Sequence, residues 1–255
     1  MYYIVFELLH AILELIPVSS TLFIELLGIP MNMILTWHMR CGLALFIVLL
    51  YNYNILDIIN IKKYSTNRLI FYITTYVFLF LLLIGFKPLI IYSSLLNIRY
   101  IKYITNIIFG ILLFIATKYI ENKKFNYSMT SGMHLGTLQF ITLLIPGISR
   151  LGMILTYLFF HGISIKESLT IGWIMSIPIS LMSGISYNLI SNNGFNFINI
   201  LSYIWNEFTS IKVFLYVLLY FILTHLLVSN NVRVISSIII FRLWFIFICL
   251  ISLLF

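Results

Sequence analysis

The amino-acid sequence predicts an all-α polytopic membrane protein, with about six transmembrane helices and two re-entrant helix–loop–helix hairpins arranged as an inverted repeat. The first observation is composition: 62% of the 255 residues are hydrophobic and only 9% are charged, which is outside the range of soluble globular domains. The second is a set of apolar stretches with the roughly 20 residues that a spanning helix needs. The third is a pair of similar motifs that interrupt two further apolar regions.

Six stretches are apolar enough to cross a bilayer, although the third is short. Pro178 lies inside the fourth, where a proline predicts a kink because it removes a backbone donor. The six candidate spans cover about 35–55, 69–92, 104–120, 168–190, 211–229 and 234–255.

Two further apolar regions fit poorly as spans because a polar motif divides each of them. Residues 2–28 are broken at residues 17–21 (Pro-Val-Ser-Ser-Thr), and residues 133–162 at residues 146–150 (Pro-Gly-Ile-Ser-Arg). Each half is too short to cross a bilayer. Non-helical backbone at membrane depth persists only where protein buries it or a wet cavity borders it. We therefore expect two re-entrant hairpins whose tips meet near the membrane midplane.

The two motifs are related to each other. Residues 15–21 read Leu-Ile-Pro-Val-Ser-Ser-Thr and residues 144–150 read Leu-Ile-Pro-Gly-Ile-Ser-Arg, so they share the first three residues and the serine at the sixth position. Matching interruptions in two halves of a membrane protein indicate an inverted repeat with its polar site between the copies. We expect a single integral membrane domain, 1–255, with pseudo-repeat halves of about 1–125 and 126–255.

Loop charges orient this arrangement. By the positive-inside rule, the two loops richest in lysine and arginine lie in the cytoplasm. The loop near Arg99 and Lys102, and both termini, then face outward. The basic residues of the two cytoplasmic loops are Lys62, Lys63 and Arg68 in one, and Lys118, Lys123 and Lys124 in the other. The net charge of +8 is scattered over the chain, without the basic face that nucleic-acid binding requires.

The cysteines and the N-terminus suggest no additional chemistry. Cys41 and Cys249 lie in apolar stretches and are expected to be buried small hydrophobes, not a disulfide, metal site or nucleophile. The N-terminal segment lacks a basic region and a small-residue cleavage site, and it carries Glu7. We therefore do not expect a removable signal peptide.

Three ionisable residues share one helical stripe in the first hairpin. Glu7, His10 and Glu14 are three, four and seven residues apart, so they lie on one face. Such groups are costly against lipid and are expected to face a cavity. Carboxylates there are candidates for ligating a divalent cation, and Glu or His for acting as general base. The alternative is that Glu14 only reaches the membrane interface from the end of the hairpin.

The hydroxyl cluster and the arginine of the two motifs each have a structural and a functional interpretation. The run Ser19-Ser20-Thr21 is typical of a helix N-cap, an anion site, or a nucleophile beside a base. Arg150 either extends to the interface or grips phosphate with paired N–H donors, with Gly147 allowing close backbone approach. The residues alone suit a phosphate on a lipid, and enzyme and transporter both remain open.

The chain resembles a known family at these motifs. Residues 14–21 (Glu-Leu-Ile-Pro-Val-Ser-Ser-Thr) resemble the family segment E-F-L-P-V-S-S-T, and residues 146–152 (Pro-Gly-Ile-Ser-Arg-Leu-Gly) resemble P-G-x-S-R-S-G. Gly42, Gly162 and Pro178 fit further family segments. The family is the undecaprenyl-diphosphatases, also called bacitracin-resistance proteins. The resemblance covers essentially the whole chain.

The resemblance implies a hydrolase of the bacterial inner membrane, multi-pass and with its site open to the outer side. It would remove the terminal phosphate of undecaprenyl diphosphate, recycling the lipid carrier for peptidoglycan synthesis and so supporting cell wall biogenesis, cell shape and bacitracin resistance. The expected cofactor is Mg²⁺ or Ca²⁺. The expected partners are the lipid substrate, the membrane and a second copy in a homodimer, with no nucleic acid.

The resemblance also assigns roles to residues, whereas the roles of His10 and Glu7 come from a hypothesis of compensation within the first hairpin. The candidate catalytic residues are Glu14, Ser20, Arg150 and His10. The candidate phosphate-binding residues are Ser19, Thr21, Gly147 and Ser149. The candidate metal ligands are Glu14 and Glu7.

The chain departs from the family pattern at four positions. His10 replaces the first family glutamate, Phe23 replaces a histidine, and Leu151 and Ile154 replace a serine and a threonine. Our hypothesis is compensation within the first hairpin, in which Glu7 supplies a second carboxylate and His10 replaces the lost histidine. Two alternatives to the enzyme are a polyprenyl-phosphate transporter or flippase and a catalytically degenerate relative. The remaining histidines, His38 among them, are expected to serve packing or the interface, and the role of Arg40 is left open.

Overall fold

The computed structural model describes residues 2–29, 31–52, 66–85, 99–121, 123–145, 147–191, 197–229 and Ile246. Within these ranges the regular structure is helical, apart from one isolated bridge between Lys123 and Ile163. The expectation of an all-helical membrane protein is confirmed at this level. The helices follow in chain order as α1 (Tyr2–Leu15), α2 (Ser20–Leu26), α3 (Met31–Asn52), α4 (Thr66–Gly85), α5 (Arg99–Ala116), a 3₁₀ turn (Thr117–Tyr119), α6 (Met129–Leu144), α7 (Arg150–Phe160), α8 (Ile165–Ser191), α9 (Phe197–Phe208) and α10 (Ile211–Ser229).

Three of the described helices are long and apolar enough to cross a membrane. They are Met33–Tyr51, Thr66–Gly85 and Tyr100–Tyr119. A further pair of helices, Leu201–Phe208 and Ile211–Leu227, is bent by 59° where the two meet. The number of candidate spans rises to four if this pair forms a single span. The predicted span at 234–255 lies almost entirely outside the described residues, so the number six stays a prediction. The stretch predicted at 168–190 forms α8, which continues through Pro178.

Both predicted hairpin regions do contain a helix, a break and a second helix. Residues 16–19 separate α1 from α2, and the second break runs from Ile145 to Ser149 between α6 and α7. The breaks coincide with the two proline motifs, because proline lacks the N–H that would continue a helix. Whether either hairpin enters and leaves by the same membrane face stays a prediction.

The described chain divides into two compact units. The first unit comprises residues 1–16, 20–54 and 173–230. In it α3 packs along α10, and α1 contacts α2, α3 and α10. Met39, Leu43 and Val213 form a buried cluster in this unit, so its apolar core lies where α3 meets α10.

The second unit comprises residues 17–19, 55–172 and 231–255. In it α4 packs closely on α6 because α6 presents two glycines one turn apart. A Cβ on Gly132 would stand 2.8 Å from the backbone oxygen of Phe71, and one on Gly136 would stand 2.8 Å from that of Thr75. Small residues at this spacing let two membrane helices approach closely. Each unit draws on both sequence halves, and the prediction of a single domain with two pseudo-repeats stays a prediction.

The opposite face of α4 is exposed and apolar. Its members recur every three or four residues, which is one stripe of a helix. Such a stripe suits contact with lipid, which is consistent with a spanning helix. The exposed residues are Ile70, Ile73, Val77, Phe80, Leu81 and Ile84.

Candidate active site

The first motif brings a hydroxyl onto a carboxylate. Glu14 lies in the last turn of α1, and Ser20 opens α2 after a break of four residues. The break turns the chain enough for Ser20 Oγ to donate a hydrogen bond to Glu14 Oε1. Ser20 is buried and the Glu14 side chain is 13% exposed. The structure therefore places together two of the residues expected to be catalytic, in the arrangement of a nucleophile and its base.

Two histidines lie beside Glu14. His38 Nδ1 on α3 lies 3.2 Å from Glu14 Oε1, and His10 Nε2 on α1 lies 3.8 Å from the same oxygen. The two imidazole rings meet edge to face, with centroids 4.6 Å apart. Both histidines are buried. His10 thus lies where the sequence suggested, and His38 joins it from another helix.

Glu7 lies in a different set of ion pairs. Its Oε1 accepts a hydrogen bond from Arg40 Nη1, and its Oε2 lies 3.4 Å from Lys212 Nζ. Arg40 also binds Glu207, with Nε to Oε2 at 2.6 Å and Nη2 to Oε1 at 3.1 Å. Although Glu7 and Glu14 share a stripe, seven residues separate them by about 10 Å along a helix axis. The sequence predicts Glu7 as a metal ligand together with Glu14. In the structure the Glu7 carboxylate instead contacts the side chains of Arg40 and Lys212 and does not lie beside Glu14.

The sequence reasoning missed His38 and Glu207. A usable signal for His38 was present, because His38 and Arg40 lie two residues apart inside an apolar span, where ionisable groups are costly. Glu207 was harder to find, since its partner Arg40 is 167 residues away in the sequence. Its role is to neutralise the buried guanidinium, which answers the question the sequence left open about Arg40.

The second motif forms the start of α7. Ser149 is the N-cap, and its Oγ accepts a hydrogen bond from the Gly152 backbone N–H at 3.1 Å. A serine hydroxyl that accepts one bond still has its own proton to donate. Arg150 is the first residue of the helix and is partly exposed. The structure makes Ser149 a helix cap, and its predicted contact with phosphate stays a prediction.

A short piece of the first motif packs on this helix start within the second unit. A Cβ on Gly152 would stand 3.3 Å from the Pro17 carbonyl oxygen and 3.1 Å from Ser149 Cβ. Residues 17–19 are all buried. Ser19 therefore belongs to this packed turn, whereas Thr21 lies one residue inside α2 and is partly exposed.

Gly147 supplies a conformation and a close approach that other residues cannot. Its φ is +88°, and a Cβ there would overlap the backbone carbonyl of Lys102 on α5. We expect Gly147→Ala to destabilise the protein by roughly 1–2 kcal/mol through left-handed backbone strain, and by a further 1–3 kcal/mol or so through overpacking. The measurement is thermal unfolding of the purified protein in detergent.

Gly28 is the matched control for that substitution. Its φ is +77°, but nothing lies within 4 Å of a Cβ there. Gly28→Ala should therefore lose only the stability that left-handed backbone strain costs, without the further loss from overpacking. Equal losses at the two positions would contradict the proposed overlap with Lys102.

Comparison with known proteins identifies the family. The family model described as "Bacitracin resistance protein BacA" matches residues 3–251. The chain belongs to the BacA family. Both motifs lie inside the matched range, so the Glu14–Ser20 pair and the start of α7 are parts of a BacA protein.

Three curated relatives share the name "Undecaprenyl-diphosphatase". The protein from Campylobacter curvus (strain 525.92) is 33% identical over 107 residues, which cover 41% of this chain and 38% of that protein. The one from Campylobacter concisus (strain 13826) is 39% identical over 83 residues, 32% of this chain and 31% of that protein. The one from Pelagibacter ubique (strain HTCC1062) is 26% identical over 196 residues, 69% of each. The chain thus matches less than two fifths of the length of each Campylobacter relative.

The donors around Glu14 in this BacA chain are a poor match for Mg²⁺ or Ca²⁺. Those ions prefer sets of oxygen ligands. Among the described residues, the titratable groups that cluster with Glu14 are the imidazoles of His10 and His38. Glu7, the second carboxylate expected at the site, is held by Arg40 and Lys212. The residues present therefore point away from a hard cation.

Proposed function

We propose that this chain hydrolyses undecaprenyl diphosphate to undecaprenyl phosphate and inorganic phosphate. The observation that carries the proposal is the part-buried hydrogen bond from Ser20 Oγ to Glu14 Oε1 in a chain of the BacA family. The names of three relatives give the substrate class. Release of the lipid monophosphate would recycle the carrier for peptidoglycan synthesis and so confer bacitracin resistance.

In the proposed reaction, Ser20 is the nucleophile and Glu14 its base. Ser20 Oγ forms a bond to the terminal phosphorus while its proton moves to Glu14. The bond between that phosphorus and the bridging oxygen breaks, and undecaprenyl phosphate leaves with the proton from Glu14. Water then attacks the phosphoserine and gives a proton to Glu14. The bond between phosphorus and Ser20 Oγ breaks, phosphate leaves, and Glu14 returns the proton to Ser20. The hydrogen bond supports this assignment because a serine needs an adjacent base to act as a nucleophile.

His10 is proposed to assist this pair. Its Nε2 is 3.8 Å from Glu14 Oε1 and its ring is fully buried. A neighbouring imidazole is suited to pass protons to and from the carboxylate between the two steps.

Arg150 is proposed to bind the phosphates. A guanidinium presents five donors in a planar fork and stabilises charge on phosphate oxygens during transfer. Its position as first residue of α7, beside the hydroxyl of Ser149, supports an anion-binding role, since both lie at the positive end of the helix. Ser19, Thr21 and Gly147 are proposed as lesser contributors to phosphate binding, by their place in the two motifs.

The membrane arrangement proposed for this function has six spans and two re-entrant hairpins in an inverted repeat. It places a multi-pass protein in the bacterial inner membrane with its site open to the outer side. The helix breaks at both motifs and the exposed apolar stripe of α4 support it. The lysine-rich and arginine-rich loops support the orientation.

The direct experiment is phosphate release from undecaprenyl diphosphate by the full chain purified in detergent. Wild type is run beside Glu14→Ala and Arg150→Ala, with His161→Gln, an exposed residue, as control. We expect release by wild type and control, and a loss of about 100-fold or more in both site variants, because each removes a charge at the reaction. No release by folded wild type would contradict the proposal and favour a transporter or an inactive relative.

A further inference from the structure

We propose that His10, Glu14 and His38 form a binding site for one transition-metal ion of the zinc class. Each residue presents one ligand atom, and the three atoms lie within 4.8 Å of one another. The three side chains come from two helices of one compact unit, α1 and α3. Because the helices are packed together, the group is held in place by the fold.

The spacing of the donors fits a small ion. Glu14 Oε1 is 3.2 Å from His38 Nδ1 and 3.8 Å from His10 Nε2. Ligands at the usual 2.0–2.1 Å from a tetrahedral zinc stand about 3.4 Å from one another. The two contacts of Glu14 differ from that spacing by about 0.4 Å or less, whereas the three donor atoms together spread over as much as 4.8 Å. Binding of one ion therefore requires the imidazoles to draw closer by up to about 1.4 Å.

The outer contacts of the ligands suit metal binding. The other ring nitrogen of His10, Nδ1, lies 3.7 Å from Cys41 Sγ. In the tautomer in which Nδ1–H donates to this sulfur, Nε2 presents its lone pair toward Glu14. Ser20 Oγ in turn orients the carboxylate of Glu14. Partners of this kind are the usual second layer of a metal site, where they set ring orientation and ligand basicity.

The donor set selects the class of ion. Two imidazoles and one carboxylate are the ligands of a catalytic zinc site, which leaves a fourth position for water or substrate. Imidazole suits Zn²⁺ and its neighbours in the first transition row, whereas Mg²⁺ and Ca²⁺ favour oxygen. Here the two imidazoles come from different helices, His10 from α1 and His38 from α3.

This inference rests on the proposed function only for the use of the metal during phosphate transfer, where the bound ion would take the place of the proton relay through His10 Nε2. Binding is a property of three named side chains, and it is measured without substrate. The two proposals therefore fail separately: metal binding without phosphate release contradicts the reaction, and release without metal binding contradicts the site.

The test is metal binding by the full chain in detergent after treatment with a chelator. Zn²⁺ is titrated by calorimetry and its stoichiometry is measured by elemental analysis. Co²⁺ is added separately, because tetrahedral Co²⁺ gives a strong visible spectrum. We expect one Zn²⁺ per chain, a tetrahedral Co²⁺ spectrum, and an affinity for Zn²⁺ about 100-fold or more above that for Mg²⁺ or Ca²⁺.

Substitutions of the proposed ligands test whether the ion binds at these residues. His10→Gln and His38→Gln should each weaken Zn²⁺ binding by about 100-fold or more, since loss of an outer partner alone costs 10–100-fold or so. His225→Gln, an exposed histidine on α10, is the matched control and should bind like wild type. Thermal unfolding without metal checks that each variant is folded.

One further substitution makes the inference specific. His10→Glu restores a carboxylate and should move the preference toward Mg²⁺ or Ca²⁺, with Zn²⁺ affinity lowered relative to wild type. Zn²⁺ binding that survives His38→Gln unchanged, or a wild-type preference for Mg²⁺, would overturn the site.

Discussion

Ser20→Ala is expected to lower phosphate release from undecaprenyl diphosphate by about a thousandfold or more. Residues that act as one nucleophile-and-base unit lose nearly the whole chemical advantage when the nucleophile is removed. Ser20 Oγ is bound to the carboxylate of Glu14, so its deletion removes the attacking atom while Glu14 remains. The measurement is the turnover number and the Michaelis constant of the purified variant.

A control variant and a trapping experiment distinguish nucleophilic attack by Ser20 from phosphate binding by Ser20. Ser183→Ala removes a hydroxyl that donates to the Ser180 carbonyl within α8, at 2.7 Å, and should leave turnover unchanged. Acid quenching of wild type with substrate labelled in the terminal phosphate should trap label on Ser20. A Ser20→Ala variant that loses only affinity, with turnover intact, would show that the hydroxyl binds phosphate without attacking it.

Arg40→Ala is expected to destabilise the protein by about 3–5 kcal/mol, because it leaves carboxylates buried without their cation. The Arg40 side chain is 12% exposed and binds both Glu7, which is 5% exposed, and Glu207, which is 14% exposed. These three helices, α1, α3 and α9, belong to one compact unit. The measurement is thermal or denaturant unfolding in detergent.

Two variants test whether the loss comes from uncompensated charge. Lys212→Ala removes a cation that is 45% exposed and 3.4 Å from Glu7, and should cost less than about 1 kcal/mol. Combining Arg40→Met with Glu7→Gln and Glu207→Gln should recover most of the stability lost in Arg40→Ala, since the charge that then loses its partner, Lys212, is 45% exposed to solvent. A triple variant as unstable as Arg40→Ala would show that the packing of the guanidinium matters more than its charge.

Much of the candidate site could be predicted from local sequence. Glu14 and Ser20 are six residues apart, and the intervening proline motif forces a break that lets them meet. Ser149 was predictable as a cap because it precedes a helix that starts at Arg150. Contacts between residues this close in the sequence depend on local backbone geometry, which short-range sequence patterns predict.

The partners of these residues could not be predicted in the same way. His38 and Glu14 are on different helices, and the periodicity of α3 says only which residues share a face. The rotation of α3 against α1 decides whether His38 or a neighbour meets the carboxylate. For the same reason, the shared helical stripe predicted that Glu7 and Glu14 act together. The carboxylate oxygens of Glu7 instead contact Arg40 and Lys212.

By itself, the sequence determined that this is a helical membrane protein of the BacA type, with polar motifs breaking two apolar regions. Those conclusions depend on hydrophobicity, the length of apolar segments and the positions of prolines, which are local properties of the sequence. Only the tertiary structure decided which charges neutralise one another and which imidazoles surround Glu14. Contacts across 33 or 167 residues depend on how packed helices are rotated and shifted, and here that arrangement pairs Arg40 with both Glu7 and Glu207. Ion pairing of this kind offsets the cost of charge in an apolar protein.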